Sequence, residues 1–100
     1  MIDEIEKLAE TFKALSEPTR LKLVKLLSGN DGALCVNALS HRLGVTQSAV
    51  SQHLRVLRQV GLVRGERRGY FVHYALDKDV LKKYKNRVKK TLGEEFIEIM

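Results

Sequence analysis

The sequence has one cysteine, Cys35, and one proline, Pro18. A single cysteine excludes an internal disulfide and fits a reducing compartment such as the cytoplasm. With a single proline and no low-complexity tract, nothing reads as a long flexible linker. No apolar run approaches the length needed to cross a bilayer, so no membrane partner is expected. The opening MIDEIEKLAE is acidic and periodic, unlike a signal or transit peptide. Internal repeats are absent. So are a nucleophile–base pair, a glycine-rich phosphate loop and a metal-ligand motif. His41, His53 and His73 lack zinc-site spacing. An enzyme, a metal site and a cofactor are therefore not expected.

What is present suits one compact domain over 1–100, since the chain has 100 residues of which 44% are hydrophobic. A core from so short a chain is thin, and dimerisation is a common remedy. The net charge of +6 and pI near 9.7 suit a polyanion, either nucleic acid or an acidic membrane surface. Charge alone does not separate these from lysines that serve solubility.

Residues 2–15 place Ile2, Ile5, Leu8, Ala9, Phe12 and Leu15 at steps of three and four, which predicts an amphipathic helix with an acidic outer face. LSEPTR interrupts it. Ser16 or Glu17 caps a second helix over Thr19–Leu27, with Pro18 in its first turn and Leu23, Leu26 and Leu27 inward. SGNDG at 28–32 is a turn. Val36, Leu39 and Leu43 then repeat as a short helix that ends at Gly44. Thr46 is a natural N-cap for the next helix. Two short helices across so brief a turn make a helix-turn-helix.

From residue 62 the period changes. Tyr70, Val72, Tyr74 and Leu76 alternate with Phe71, His73 and Ala75, a strand pattern. Leu62–Arg64 pairs with it across a glycine-bracketed tip, GERRG, to give a hairpin. Asp77 or Asp79 starts a last helix with Val80, Leu81, Tyr84, Val88 and Leu92 as its apolar stripe, and Gly93 ends or kinks it. EEFIEIM follows with much apolar surface. The basic run KKYKNRVKK at 82–90 reads as the wet face of that helix. The expected fold is mainly α with a small β-hairpin, a winged helix-turn-helix in the order α-α-α-α-β-β-α.

The helix over 46–60 buries Val50, Leu54 and Leu57. Gln47, Ser48, Ser51, Gln52 and Arg55 fall mainly on the opposite side. Short polar side chains let a helix enter the major groove, where Gln suits adenine, Arg suits guanine, and Ser or Thr serves bases or phosphates. The plain alternative is a solvated polar face, which the preceding turn and following hairpin disfavour. Thr46 caps this helix and is placed to touch phosphate. His53 has a structural or phosphate-contact role, and tucking against the hairpin is open to it. Arg67 and Arg68 project from the wing tip towards phosphate or a narrow minor groove. For Arg64 both the same contact and an ion pair with Glu66 are open. His41 is read as solvated, and Cys35 as a small hydrophobe packed inside.

The segments LSEPTRLKLVKLL at 15–27, LGVTQSAVSQHLRVLRQVGLV at 43–63 and RRGYFVHYAL at 67–76 resemble the arsenic-repressor (ArsR/SmtB) family of winged-helix regulators across nearly the whole chain. The resemblance implies a cytoplasmic homodimer that binds an inverted-repeat operator in double-stranded DNA and represses transcription. It also implies a dimer interface from the first and last helices, here Ile5, Leu8, Phe12, Leu81, Tyr84 and Val88. A two-fold dimer would set two recognition helices about 34 Å apart, in successive major grooves. One family metal site uses Cys-Val-Cys, where this chain has Cys35-Val36-Asn37. Another uses Asp and His on the last helix, which here has no His. Both therefore look absent, and the inducer is unknown. Three other functions compete. One is a protein–protein interaction module, and another is a metal- or redox-responsive repressor using Cys35. RNA binding is disfavoured because the contact helix lacks aromatics for base stacking.

Overall fold

The computed structural model describes residues 3–29 and 32–99. The expectations for Ile2, for Asn30 and Asp31 of the turn, and for Met100 lie outside the described residues. The element order is α1 (Glu4–Leu15), α2 (Pro18–Ser28), β1 (Leu34–Cys35), α3 (Val36–Leu43), α4 (Gln47–Gln59), β2 (Val63–Arg68), β3 (Phe71–Leu76), α5 (Lys78–Leu92) and α6 (Glu94–Ile99). The winged helix-turn-helix stands. Two elements must be added to the expected order: a strand before α3 and a separate helix after α5.

Caps account for most helix starts. The Asp3 carboxylate accepts from Glu6 N at 2.8 Å, Thr46 Oγ1 from Ala49 N at 3.0 Å, and Asp77 Oδ1 from Val80 N at 3.2 Å. Each satisfies an amide that the helix leaves without an internal partner. Of the two residues proposed to cap α2, Glu17 does so, accepting from Arg20 N at 2.9 Å. α5 ends at Gly93, whose φ of 90° lies outside helical geometry, and α6 begins immediately after. Lys89 and Glu94 pair across this break at 3.5 Å.

The central core joins Leu23 and Leu27 of α2, Leu39 of α3, Val50, Leu54 and Leu57 of α4, and Leu62 and Val63 at the wing base. Fully burying one such side chain contributes about 1.5–3 kcal/mol. This core fixes the angle between α3 and α4, and the wing is tied to the same body. Asp77 N donates to Leu62 O at 2.9 Å where the hairpin closes.

The sheet has three antiparallel strands in the order β1-β3-β2. Leu34 pairs with Tyr74 and Cys35 with His73, while β2 and β3 pair from Val63↔Leu76 out to Arg68↔Phe71. Directly opposed residues share a face. Gly65, Arg67, Val72, Tyr74 and Leu34 therefore lie on one side, and Arg64, Glu66, Arg68, Phe71, His73 and Cys35 on the other. Gly65 sits opposite Tyr74, and a Cβ there would lie 3.0 Å from Val72 Cγ1 and 3.3 Å from Tyr74 Cε1. The missing side chain makes room for both.

α1 and α5 form a second layer. Leu8, Thr11, Ala14 and Val88 are buried there, and Thr11 Oγ1 donates back to Lys7 O at 3.2 Å. The Phe12 and Tyr84 rings meet edge-on with centroids 5.7 Å apart, and Arg87 pairs with Glu4 at 3.3 Å. The single apolar stripe expected for the first helix is divided. Leu8 is 4% exposed, whereas Ile5 is 66% and Phe12 38% exposed.

Candidate nucleic-acid interface

The turn between α3 and α4 sets the pose of α4. Gly44 takes a left-handed conformation, φ 67° and ψ 30°, and its N–H donates to Ser40 O. The Ser40 hydroxyl donates to Val45 O, and Gln47 Nε2 to Asn37 Oδ1 at 3.0 Å. Backbone and side chains thus clamp the two helices together. Glycine enters the left-handed region without the Cβ penalty other residues meet.

Gln47, Ser48, Ser51, Gln52 and Arg55 are all exposed, as the period required, while Val50, Leu54 and Leu57 are buried. Arg58 and Gln59 extend the same exposed side. No acidic residue occurs in α4, so its free face carries only neutral and positive groups. Ser51, Arg55, Arg58 and Gln59 line an open cleft of about 430 Å³ with Tyr74 of β3. The side of the sheet that carries Tyr74 therefore faces the exposed side of α4.

Arg67 and Arg68 do not project from a loop. Both lie in β2, as does Gly65, because the strands stay paired to Arg68↔Phe71. The loop is Gly69-Tyr70. Gly69 has φ 64°, and Tyr70 keeps a negative φ, as a type II′ turn requires. Strand alternation then separates the two arginines. Arg67 shares a face with Tyr74, towards α4. Arg68 lies on the far face, 3.4 Å from Glu66, which also holds Arg64 at 3.5 Å. Arg67 makes no ion pair among the described residues.

His53 does not tuck against the hairpin. Its Nδ1 lies 3.2 Å from Arg20 Nη1 and 3.7 Å from a Glu17 oxygen. Arginine only donates, so a hydrogen bond from Arg20 requires Nδ1 to accept, whereas a proton on Nδ1 turns the contact to Glu17. Arg20 Nε also donates to Ala14 O, joining α1, α2 and α4. The Arg20 backbone amide is the first cause holding the Glu17 carboxyl below the ordinary value of 4.5; burial opposes it, and the His53 side chain, the Thr19 amide and the Arg20 guanidinium add to it. Periodicity along one helix did not reveal Glu17, Arg20, Asn37 or Tyr74, because each meets α4 from another element.

Leu8 and Val88 are buried within the chain, at 4% and 6% exposure. Little of either side chain reaches the surface of the single chain. Leu81 and Tyr84 are half-buried, and Ile5, Phe12, Leu92 and Phe96 remain exposed. Burial raises the Tyr84 hydroxyl above its usual value, and that hydroxyl has no hydrogen-bond partner among the described residues.

The residues at Cys35-Val36-Asn37 do not fit a thiolate metal site. Cys35 is half-buried, not packed inside as expected, and Asn37 already accepts from Gln47. Among the described residues, no group of three or more His, Cys, Asp or Glu side chains converges as metal ligands would. No described helix is long and apolar enough to cross a membrane.

A helix pair clamped across a left-handed glycine, followed by a paired wing, defines a winged helix-turn-helix protein. Residues 17–64 match the model of the arsR family of bacterial regulatory proteins. The chain is 37% identical over 81 residues to the HTH-type transcriptional regulator MJ1325 of Methanocaldococcus jannaschii, spanning 81% of this chain and 90% of that protein. It is 40% identical over 85 residues to the transcriptional repressor SmtB homolog of Synechocystis, covering 84% of this chain and 63% of the relative. Among solved structures it is similar to the homodimeric winged helix-turn-helix DNA-binding domain Mb0332 (fragment 1–100) of Mycobacterium bovis. The TM-score is 0.71 at 28% identity, over 82% of this chain and 75% of that one. The chain belongs to the arsR family and is a transcriptional regulator.

Proposed function

We propose that the protein is a cytoplasmic homodimer that binds an inverted-repeat operator in double-stranded DNA and represses transcription. The observation that carries this reading is the exposed side of α4. Seven uncharged-polar or cationic side chains and no acid stand on a helix anchored by Val50, Leu54 and Leu57, beside a wing that faces it. Gln47, Ser48, Ser51, Gln52 and Arg55 read or position the major groove. Thr46 sits at the helix start, where capped amides meet phosphate. Arg67 grips the backbone or minor groove from the near face of the wing. Arg68 stays largely with Glu66, and His53 offers Nε2–H to a phosphate.

The exposed apolar residues Ile5 and Phe12, with half-buried Leu81 and Tyr84, support a second copy against α1 and α5. Leu8 and Val88 lie behind them and shape that surface. The printed descriptions of the Synechocystis and Mycobacterium bovis proteins, a repressor and a homodimeric DNA-binding domain, support the same reading.

Titration of duplex DNA at several salt concentrations, with sedimentation of the free protein, tests it. A dimer whose affinity falls steeply with salt is expected, since each neutralised phosphate releases counterion. A monomer at binding concentrations, or weak salt-insensitive binding as for a protein–protein module, would refute it.

A further inference from the structure

The wing ends in an aromatic tip that the helix-turn-helix geometry does not use. Tyr70 is 95% exposed and its strand neighbour Phe71 is 62% exposed. A Tyr side chain gains nothing from such a position within its own chain. Exposed adjoining aromatics usually mark a surface that something covers. The two-residue loop and the Arg68↔Phe71 pairing hold the tip firmly. Six residues of strand carry it about 17 Å from the wing base, away from the closure at Leu62 and Asp77.

We propose that Tyr70 is an aromatic wedge, seated in the minor groove flanking the half-site that α4 occupies. The inference rests on the DNA-binding reading above. Charge complementarity selects the occupant, because Arg67, without an ion-pair partner among the described residues, lies three residues before the ring on the near face of the wing, and that face continues into the cleft beside α4. The minor groove, about 6 Å wide, refuses a helix but admits a flat side chain beside an arginine. Apolar wedges there part base steps. Pyrimidine–purine steps part most readily, so Tyr70 favours such steps in the flank without hydrogen-bonding to a base.

The test uses Tyr70→Ala and Tyr70→Trp in the full chain. The sequence contains no tryptophan, so the introduced indole is a single reporter at the tip. Tyr70→Ala is expected to weaken operator binding about a hundredfold, because the dimer loses two aromatic–base contacts of about tenfold each. The salt slope should not change, because the group is neutral. Tyr70→Trp is expected to keep binding and to lose indole emission when the operator is saturated. Unchanged affinity for Tyr70→Ala, or unchanged indole emission at saturation, overturns the wedge while operator binding by the unsubstituted chain stands. Failure of that chain to bind any duplex overturns the DNA-binding reading and the wedge together.

Discussion

The two wing arginines adjoin in sequence and part in space, and this gives a prediction with a calculable size. Arg67 faces α4 and has no ion-pair partner among the described residues, whereas Arg68 shares Glu66 with Arg64 on the far side. Losing one phosphate contact lowers the slope of log affinity against log salt by about 0.9. Extrapolated from 1 M salt, where counterion release contributes nothing, that slope amounts to about fivefold in affinity at ~0.15 M, or about 1 kcal/mol. A dimer carries the change twice. Arg67→Ala should thus reduce the slope by about 1.8 and weaken binding about 30-fold, equally on all sequences. Arg68→Ala should have less than half that effect. It frees Glu66 for Arg64, and exposed ion pairs are worth roughly 0–1 kcal/mol. Fluorescence anisotropy with a labelled duplex at several salt concentrations reads both quantities. Equal slope changes for the two variants would refute the strand-face assignment, and no change in either would remove the wing from the interface.

Other substitutions separate the roles of the remaining parts. Gln52→Ala should relax preference at one base pair per half-site, at about 1–3 kcal/mol, with the salt slope kept; a competition series over single base changes checks this. At Gly44 an added Cβ meets nothing within 4 Å, so Gly44→Ala should cost only left-handed strain, about 1–2 kcal/mol less the gain from a stiffer unfolded chain. The melting midpoint should fall roughly 4–8 °C for each net kcal/mol, and Gly44→Asn should fall less. Ile5→Asp should leave the fold intact, since the side chain is 66% exposed, and should raise the dimer dissociation constant on the order of a hundredfold or more in sedimentation. Glu17 has a lowered carboxyl pKa, so it stabilises the fold above its unfolded value and loses that contribution as pH falls through its folded value. Glu17→Gln should flatten the acid limb of the melting profile below about pH 4.5.

Helical periodicity carried much of this architecture in the sequence. The spacing of Val50, Leu54 and Leu57 fixed the polar side of α4, and Gly44 and Thr46 marked the turn because left-handed backbone and caps restrict residue choice. Local pattern failed where contacts came from afar. β1 is two residues long, too short to alternate, and exists only by pairing with β3. The glycines around GERRG suggested a loop, but Gly65 is small to accommodate Tyr74 across the strands, and only Gly69 turns the chain. Leu8 and Ile5 belong to one apolar stripe, yet the fold buries the first and leaves the second exposed. His53 drew its partners from α2, thirty-three residues away for Arg20, a distance no helical period reports.

Selection of bound duplexes from a random pool tests the central claim most directly. The account predicts an inverted repeat whose half-sites lie one helical turn apart, about 10–10.5 base pairs centre to centre, or a multiple of it. Recovery of unrelated sequences, or of a single unrepeated site, would contradict a two-fold dimer that reads DNA through α4.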